Sequence, residues 1–131
     1  MYKRQVRRGL HRALLVADMP YGSYQVDERD GIRNALRLVK EAGAEAVKLE
    51  GGRERAELVR RLVEAEIPVM GHLGLTPQAV HRMGGYKVQA RTAGAVERIR
   101  EDAHLLAGAG CFAVVLEGIP REVAALSLIH I

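Results

Sequence analysis

The sequence holds one cysteine, no tryptophan, one phenylalanine and four tyrosines among its 131 residues. A single cysteine excludes an internal disulfide and any zinc site built from several thiolates. Cys111 stands just before the apolar run Phe112–Leu116, which reads as a small buried core residue rather than a nucleophile. Aromatics at 4% leave little to stack against bases. The net charge of +4 is local: Lys3, Arg4, Arg7, Arg8 and Arg12 fall in the first twelve positions with no acidic neighbour, and removing those five charges leaves −1 for the rest. That is the pattern of a basic helix end, so no nucleic-acid partner is expected. No apolar stretch approaches the roughly 18 residues of a membrane span. The basic start also lacks the apolar core and cleavage site of a secretory signal. The expectation is a cytoplasmic protein with no membrane partner.

What is present is an alternation. At 48% hydrophobic the chain has the composition and length of about one globular domain. Four short runs, Ala13–Ala17, Ala44–Leu49, Ile67–Met70 and Phe112–Leu116, read as strands buried on both faces. Helical spacing lies between them. Residues 1–11 read as a basic helix ended near Gly9. Ile32, Leu36, Val39 and the stem of Lys40 then form one face up to Gly43, and Arg53–Ala65 carries Leu58, Val59, Leu62 and Val63. Thr76 before Pro77 predicts an N-cap and a short helix through Met83. Val96, Ile99, Ala103 and Leu106 predict a longer helix ending at Gly110, and Arg121–Ala125 the start of another. Strands separated by helix-sized connections imply a parallel sheet with right-handed crossovers.

Each predicted strand delivers an ionisable residue at its C-terminal end, followed by glycine or proline: Asp18, Glu50, His72 and Glu117. In a (β/α) barrel that edge carries the active site, and in a flavodoxin-like sheet it also binds ligands, so both folds remain open. Each residue has a plain alternative. Asp18 can cap a turn, Glu50 can be a solvated strand end, and His72 can be a satisfied core histidine. Lys48, flanked by Val47 and Leu49, needs an anionic partner if its strand is buried. Taken together, Asp18 and Glu50 offer the oxygens a hard divalent cation such as Mg²⁺ takes. The type of metal is not fixed by two carboxylates. Lys48 could neutralise a substrate carboxylate, and Glu117 could act as a general base if burial raises its pKa. That set suits carbon–carbon bond formation beside a carbonyl.

The strings ADMPYGSYQ (Ala17–Gln25), KEAGAEAVKLEGG (Lys40–Gly52), IPVMGHLGLTPQAVHRMGGYKVQAR (Ile67–Arg91) and AVVLEGIP (Ala113–Pro120) resemble, in order and spacing, the ketopantoate hydroxymethyltransferase family. The resemblance runs to about Ala125. It implies an α/β fold, a (β/α)8 TIM barrel of the phosphoenolpyruvate mutase/isocitrate lyase type, here truncated to about four βα units. The implied activity is hydroxymethyl transfer from 5,10-methylenetetrahydrofolate to 3-methyl-2-oxobutanoate, giving 2-dehydropantoate for pantothenate and coenzyme A synthesis. It implies Mg²⁺ as cofactor, the folate as co-substrate, and a homodecamer for the full-length protein. By the same resemblance Asp18 is a metal ligand that also meets substrate, and Glu50 belongs to the metal site. Lys48 holds the substrate carboxylate, His72 stands near the reacting groups, and Glu117 is the base.

There are departures. The family's earlier Gly-Asp-Ser segment, with a second metal-ligand aspartate, has no counterpart here. Ala90 replaces a usual glycine and Gly118 a usual cysteine, and both changes are expected to be tolerated. Residues 126–131 do not fit the family and look like sequencing-adapter read-through, so His130 is given no functional weight. The expectation is a partial barrel domain over residues 1–125, covering strands three to six of eight and inactive alone for want of a metal ligand. A sister 2-oxo-acid lyase or mutase, which would lack the long histidine–glycine string, is the competing enzyme reading.

Overall fold

The computed structural model describes residues 2–129; His130 lies outside them. Helix α1 (Tyr2–Gly9) precedes four βα units: β1 (Val16–Asp18) with α2 (Glu28–Ala42), β2 (Ala46–Glu50) with α3 (Ala56–Glu64), β3 (Val69–Gly74) with α4 (Ala93–Gly108), and β4 (Ala113–Glu117) with α5 (Arg121–Ile129). Single 3-10 turns at Arg53–Arg55 and Pro77–Ala79 follow β2 and β3. All strands are parallel, in the order β1-β2-β3-β4. That order lacks the reversal of a flavodoxin-like sheet and so removes that alternative. No helix among the described residues is long and apolar enough to cross a membrane.

Local chemistry fixes the helix ends. The Asp27 carboxylate accepts the Arg29 amide at 2.6 Å to start α2, and Thr92 Oγ1 accepts the Ala95 amide at 3.3 Å to start α4. The predicted face of α2 is rotated. Gly31 and Ala35 are buried while Leu36 and Lys40 are exposed, because the small residues let α2 close on Leu58 of α3.

The strands differ more from expectation, and their neighbours explain why. β1 begins at Val16 rather than Ala13, and Leu14 is 55% exposed. As an edge strand it has β2 on one side only, and its register starts at Val16↔Ala46. The other edge is alike: the single Phe112 precedes β4 at 48% exposed, and Ala113–Leu116 are only half-buried. In the middle, β3 does not stop at Met70. It runs through Gly71 and His72 to Gly74, because β2 and β4 both pair with it there (Gly71↔Leu49 and Gly71↔Val114).

Side chains alternate along a strand, and parallel register extends that alternation across the sheet. Ala17, Val47, Leu49, Val69, Leu73 and Val114 therefore share one face. With Leu58, Val59, Leu62, Ala103 and Leu106 of the helices they make the apolar core. Asp18, Lys48, Glu50, Met70, His72 and Glu117 share the other face. Cys111 packs against the core side, where burial pushes its thiol up to about 11 and disfavours the nucleophilic thiolate.

Two positions depend on backbone freedom. Gly74 has φ 88°, and a Cβ there would lie 2.1 Å from the Glu117 carbonyl oxygen. Gly118 has φ 58°, with a Cβ position 2.8 Å from Leu75 Cβ, so glycine suits this turn. Ala90 in contrast adopts φ 54° with a side chain, a left-handed conformation costing about 1–2 kcal/mol. Burial of its methyl offsets part of that. Gly74→Ala is expected to lower unfolding stability by about 3 kcal/mol or more, through the clash and the strain together. Urea denaturation of this variant beside the parent checks it, and an unchanged midpoint would contradict the packing described.

Candidate active site

The polar face is built from the strand ends inward. In the register Asp18 pairs with Lys48, Glu50 with His72, and Gly74 with Glu117. Lys48 and Glu50, two residues apart in β2, point the same way. The five residues singled out in the sequence thus lie on one face toward the C-terminal edge. Their individual settings differ.

Lys48 finds its anion in Asp18, Nζ to Oδ2 at 3.0 Å, with the lysine side chain 21% exposed. Glu50 is no solvated strand end: it is buried, and its Oε2 accepts the backbone N–H of Gln78 at 2.9 Å. Its Oε1 stands 3.9 Å from His72 Nδ1. His72 is 1% exposed and lies within β3, not in the turn after it. Neither of its ring nitrogens makes a hydrogen bond among the described residues, although Nε2 is 3.3 Å from Glu117 Oε2. The satisfied core histidine is thereby overturned. Burying polar atoms without partners is costly, and such atoms mark sites where stability is not the governing requirement. Glu117 ends the edge strand β4 with its side chain 47% exposed. The burial on which its expected role as a base relied is not present here.

Three residues that the sequence did not single out hold the site together. Tyr24 and Gln25 come from the β1–α2 loop and Gln78 from the 3-10 turn after β3. The Tyr24 hydroxyl accepts the Glu50 backbone N–H at 3.0 Å and donates to Gln78 Oε1 at 2.7 Å. Gln25 Nε2 donates to the same oxygen at 2.8 Å, and Gln78 Nε2 donates to the Met19 carbonyl at 2.9 Å. Burial, with the Glu50 charge adding to it, raises the Tyr24 phenol above its ordinary range. The Arg55 guanidinium lies 5.3 Å from the centre of the Tyr24 ring. Here the expected helix through Met83 fails: only Pro77–Ala79 is helical, and the Thr76 side chain caps nothing. The amide that a threonine cap would satisfy goes to Glu50 instead.

A cleft of about 630 Å³ opens over this network, walled by Tyr24, Gln25, Glu50, Arg55 and Gln78. Asp18, Lys48, His72 and Glu117 are not part of its wall. A second cleft of about 890 Å³ lies beside it, between the Gly51–Glu54 loop and the start of α4. Arg53 crosses its floor, pairing with Asp102 at 2.7 Å and Glu101 at 2.9 Å.

Asp18 and Glu50 supply carboxylate oxygens of the kind a hard cation takes. Among the described residues, however, no group of three His, Cys, Asp or Glu side chains gathers closely enough to hold a metal ion. Asp18 is paired with Lys48, and one oxygen of Glu50 is committed to Gln78. The pair falls short of a complete metal site.

A family profile described as ketopantoate hydroxymethyltransferase matches residues 1–128. The curated 3-methyl-2-oxobutanoate hydroxymethyltransferase of Koribacter versatilis is 60% identical over 125 residues, which are 95% of this chain and 42% of that protein. The protein of that name from Syntrophotalea carbinolica is 59% identical over 121 residues, covering 92% of this chain and 45% of its own length. That from Gloeobacter violaceus is 58% identical over 122 residues, covering 92% and 47%. The chain spans less than half the length of these curated relatives.

His72→Leu replaces two buried nitrogens that make no hydrogen bond, though each faces a carboxylate, with a side chain of similar volume. It is expected to leave stability unchanged or higher, where loss of a satisfied buried polar group costs about 1–3 kcal/mol. Thermal and urea unfolding check this, and a loss beyond about 1 kcal/mol would show that His72 has a stabilising partner.

Proposed function

The chain belongs to the ketopantoate hydroxymethyltransferase family, and from that premise we propose that it forms part of a 3-methyl-2-oxobutanoate hydroxymethyltransferase, with 5,10-methylenetetrahydrofolate as one-carbon donor and 2-dehydropantoate as product. One observation carries the reading. Asp18, Lys48, Glu50, His72 and Glu117 come from four different strands onto a single face, opposite the helices and toward the C-terminal edge. A sequential parallel sheet with α2, α3 and α4 on one side and polar groups on the other is what a segment of a (β/α)8 barrel presents to its interior. We therefore extend the proposal to a barrel of the phosphoenolpyruvate mutase/isocitrate lyase type, and, on the family resemblance, to a cytoplasmic homodecamer.

The proposed roles are those the family resemblance implies, weighed against each residue's position. Lys48 holds the 2-oxo acid's carboxylate, which takes the place of, or shares the cation with, Asp18. Glu117, half in solvent at the strand end, removes the proton from C3 of the substrate. That carbon bonds to the folate's methylene carbon as one of its two C–N bonds breaks. Water supplies the hydroxyl as the second breaks, the two protons going to the nitrogens of the released tetrahydrofolate. His72, with Nε2 toward Glu117, is placed to pass the C3 proton on or to steady the charged carboxylate. Mg²⁺ is proposed with Asp18 and Glu50 as two of its ligands, and a cation there would stabilise the negative charge of an enolate.

Proton exchange at C3 of 3-methyl-2-oxobutanoate, followed by NMR in D₂O without folate, isolates the first half of this chemistry. The full-length protein carrying this segment is expected to catalyse the exchange, and Glu117→Gln to slow it by about 100-fold or more. Equal exchange in the variant would remove Glu117 from the role of base.

A further inference from the structure

We propose that Gln78 and Tyr24 are positioning residues: they divide the work of the Glu50 carboxylate, committing Oε2 to the backbone and leaving Oε1 toward His72 and the reacting groups. The inference rests on the proposed transferase reading for its kinetic consequences, but the network itself stands on geometry.

The hydrogen bonds of this network have only one consistent direction. Gln25 Oε1 accepts two backbone amides, Gly22 at 2.7 Å and Tyr24 at 3.3 Å, so its other terminal atom is the NH₂ group. That NH₂ donates to Gln78 Oε1 at 2.8 Å. Gln78 Nε2 must then be a donor, and its partner is the Met19 carbonyl at 2.9 Å, which can only accept. Tyr24 accepts the Glu50 N–H, so its own proton goes to Gln78 Oε1. Backbone groups anchor the chain of bonds at both ends, and no amide can flip without losing several bonds at once.

This directionality bears on Glu50. The side chain of Gln78 ties the Pro77–Ala79 turn to the residue after Asp18 and to the β1–α2 loop. Once the turn is fixed, the Gln78 backbone N–H can meet Glu50 at one place only, and it takes Oε2. Tyr24 meanwhile holds the Glu50 backbone from the other side. The carboxylate is thus oriented by groups reaching across three strand ends. Among the described residues none of them hydrogen-bonds Glu117 or the His72 ring.

The test uses the full-length protein with Tyr24→Phe, Gln78→Glu and Gln78→Ala. Asn34→Ala serves as a control, because it removes a bond to the Ser23 carbonyl at 2.9 Å in the same loop without touching the network. Gln78→Glu keeps the shape but sets a carboxylate oxygen against the Met19 carbonyl. Two readouts are taken: kcat and KM for the oxo acid, and the ¹³C shift of the Glu50 carboxylate. Positioning predicts a kcat loss of about tenfold or more in Tyr24→Phe and Gln78→Glu with KM within about twofold, whereas Asn34→Ala keeps the parental kcat. It also predicts a displaced Glu50 ¹³C signal in Tyr24→Phe, although Tyr24 makes no bond to that carboxylate, and an undisturbed one in Asn34→Ala. A matching kcat loss in Asn34→Ala, or an unmoved Glu50 signal in Tyr24→Phe, would reduce the network to loop stability and overturn the proposal. If the parent shows no turnover, the transferase reading fails by itself and the carboxylate signal alone decides the positioning.

Discussion

Strand alternation, held in register by parallel pairing, is the constraint on which everything else here depends. With Val47, Leu49, Val69 and Leu73 committed to the helices, their neighbours Lys48, Glu50, Met70 and His72 have no choice of side. Two faces result, and they answer to different requirements. The helix side has buried apolar side chains packed together, and it supplies stability. The opposite side buries a histidine with neither nitrogen hydrogen-bonded among the described residues and a carboxylate with one oxygen bonded. Those are costs to folding, and they are tolerable because the other face carries the fold.

The segment after β3 joins the two requirements. Gly74 lets β3 end against the Glu117 carbonyl, and the Leu75 amide donates to that same carbonyl at 2.7 Å. The chain then crosses to Glu50 through the Gln78 amide and returns, where the Gln89 amide donates to the Gly118 carbonyl at 2.8 Å. One stretch of chain therefore bridges the ends of β1, β2 and β4. A carboxylate from β2 serving as the cap of a turn after β3 is the clearest sign that loop and site form one unit.

Much of this was legible in the residues. The alternation of runs and helical spacing predicts the four βα units, and Gly43 behaves as the end signal it resembles, whereas the caps Asp27 and Thr92 are seen only in the structure. Asp18, Lys48, Glu50, His72 and Glu117 stood out because charged or polar residues at the ends of apolar strands need a reason. What escaped the sequence was long-range. Tyr24 and Gln78 are 54 positions apart, and Gln78 and Met19 are 59 apart. No local periodicity encodes such partners. Thr76-Pro77 spelled a helix start, but a distant carboxylate took the amide that the threonine would have capped. The run Ile67–Met70 predicts a strand that stops before Gly71, whereas pairing with both flanking strands carries β3 on to Gly74. The runs at Ala13 and Phe112 promised strands buried on both faces, and edge positions left Leu14 and Phe112 in solvent.

The division of labour between faces is tested most directly on two adjacent residues of β2. Lys48→Met and Leu49→Ala, each made in the full-length protein, are compared for unfolding free energy and for turnover per folded molecule. Leu49 is fully buried on the helix side, so its truncation should cost about 2–5 kcal/mol while the folded fraction keeps near-parental turnover. Lys48→Met should stay within about 1 kcal/mol of the parent, its ion pair being partly exposed, and lose turnover at least tenfold. If Leu49→Ala abolishes turnover in molecules that remain folded, or Lys48→Met unfolds the protein while sparing turnover, the two faces do not divide structure from chemistry and the account is wrong.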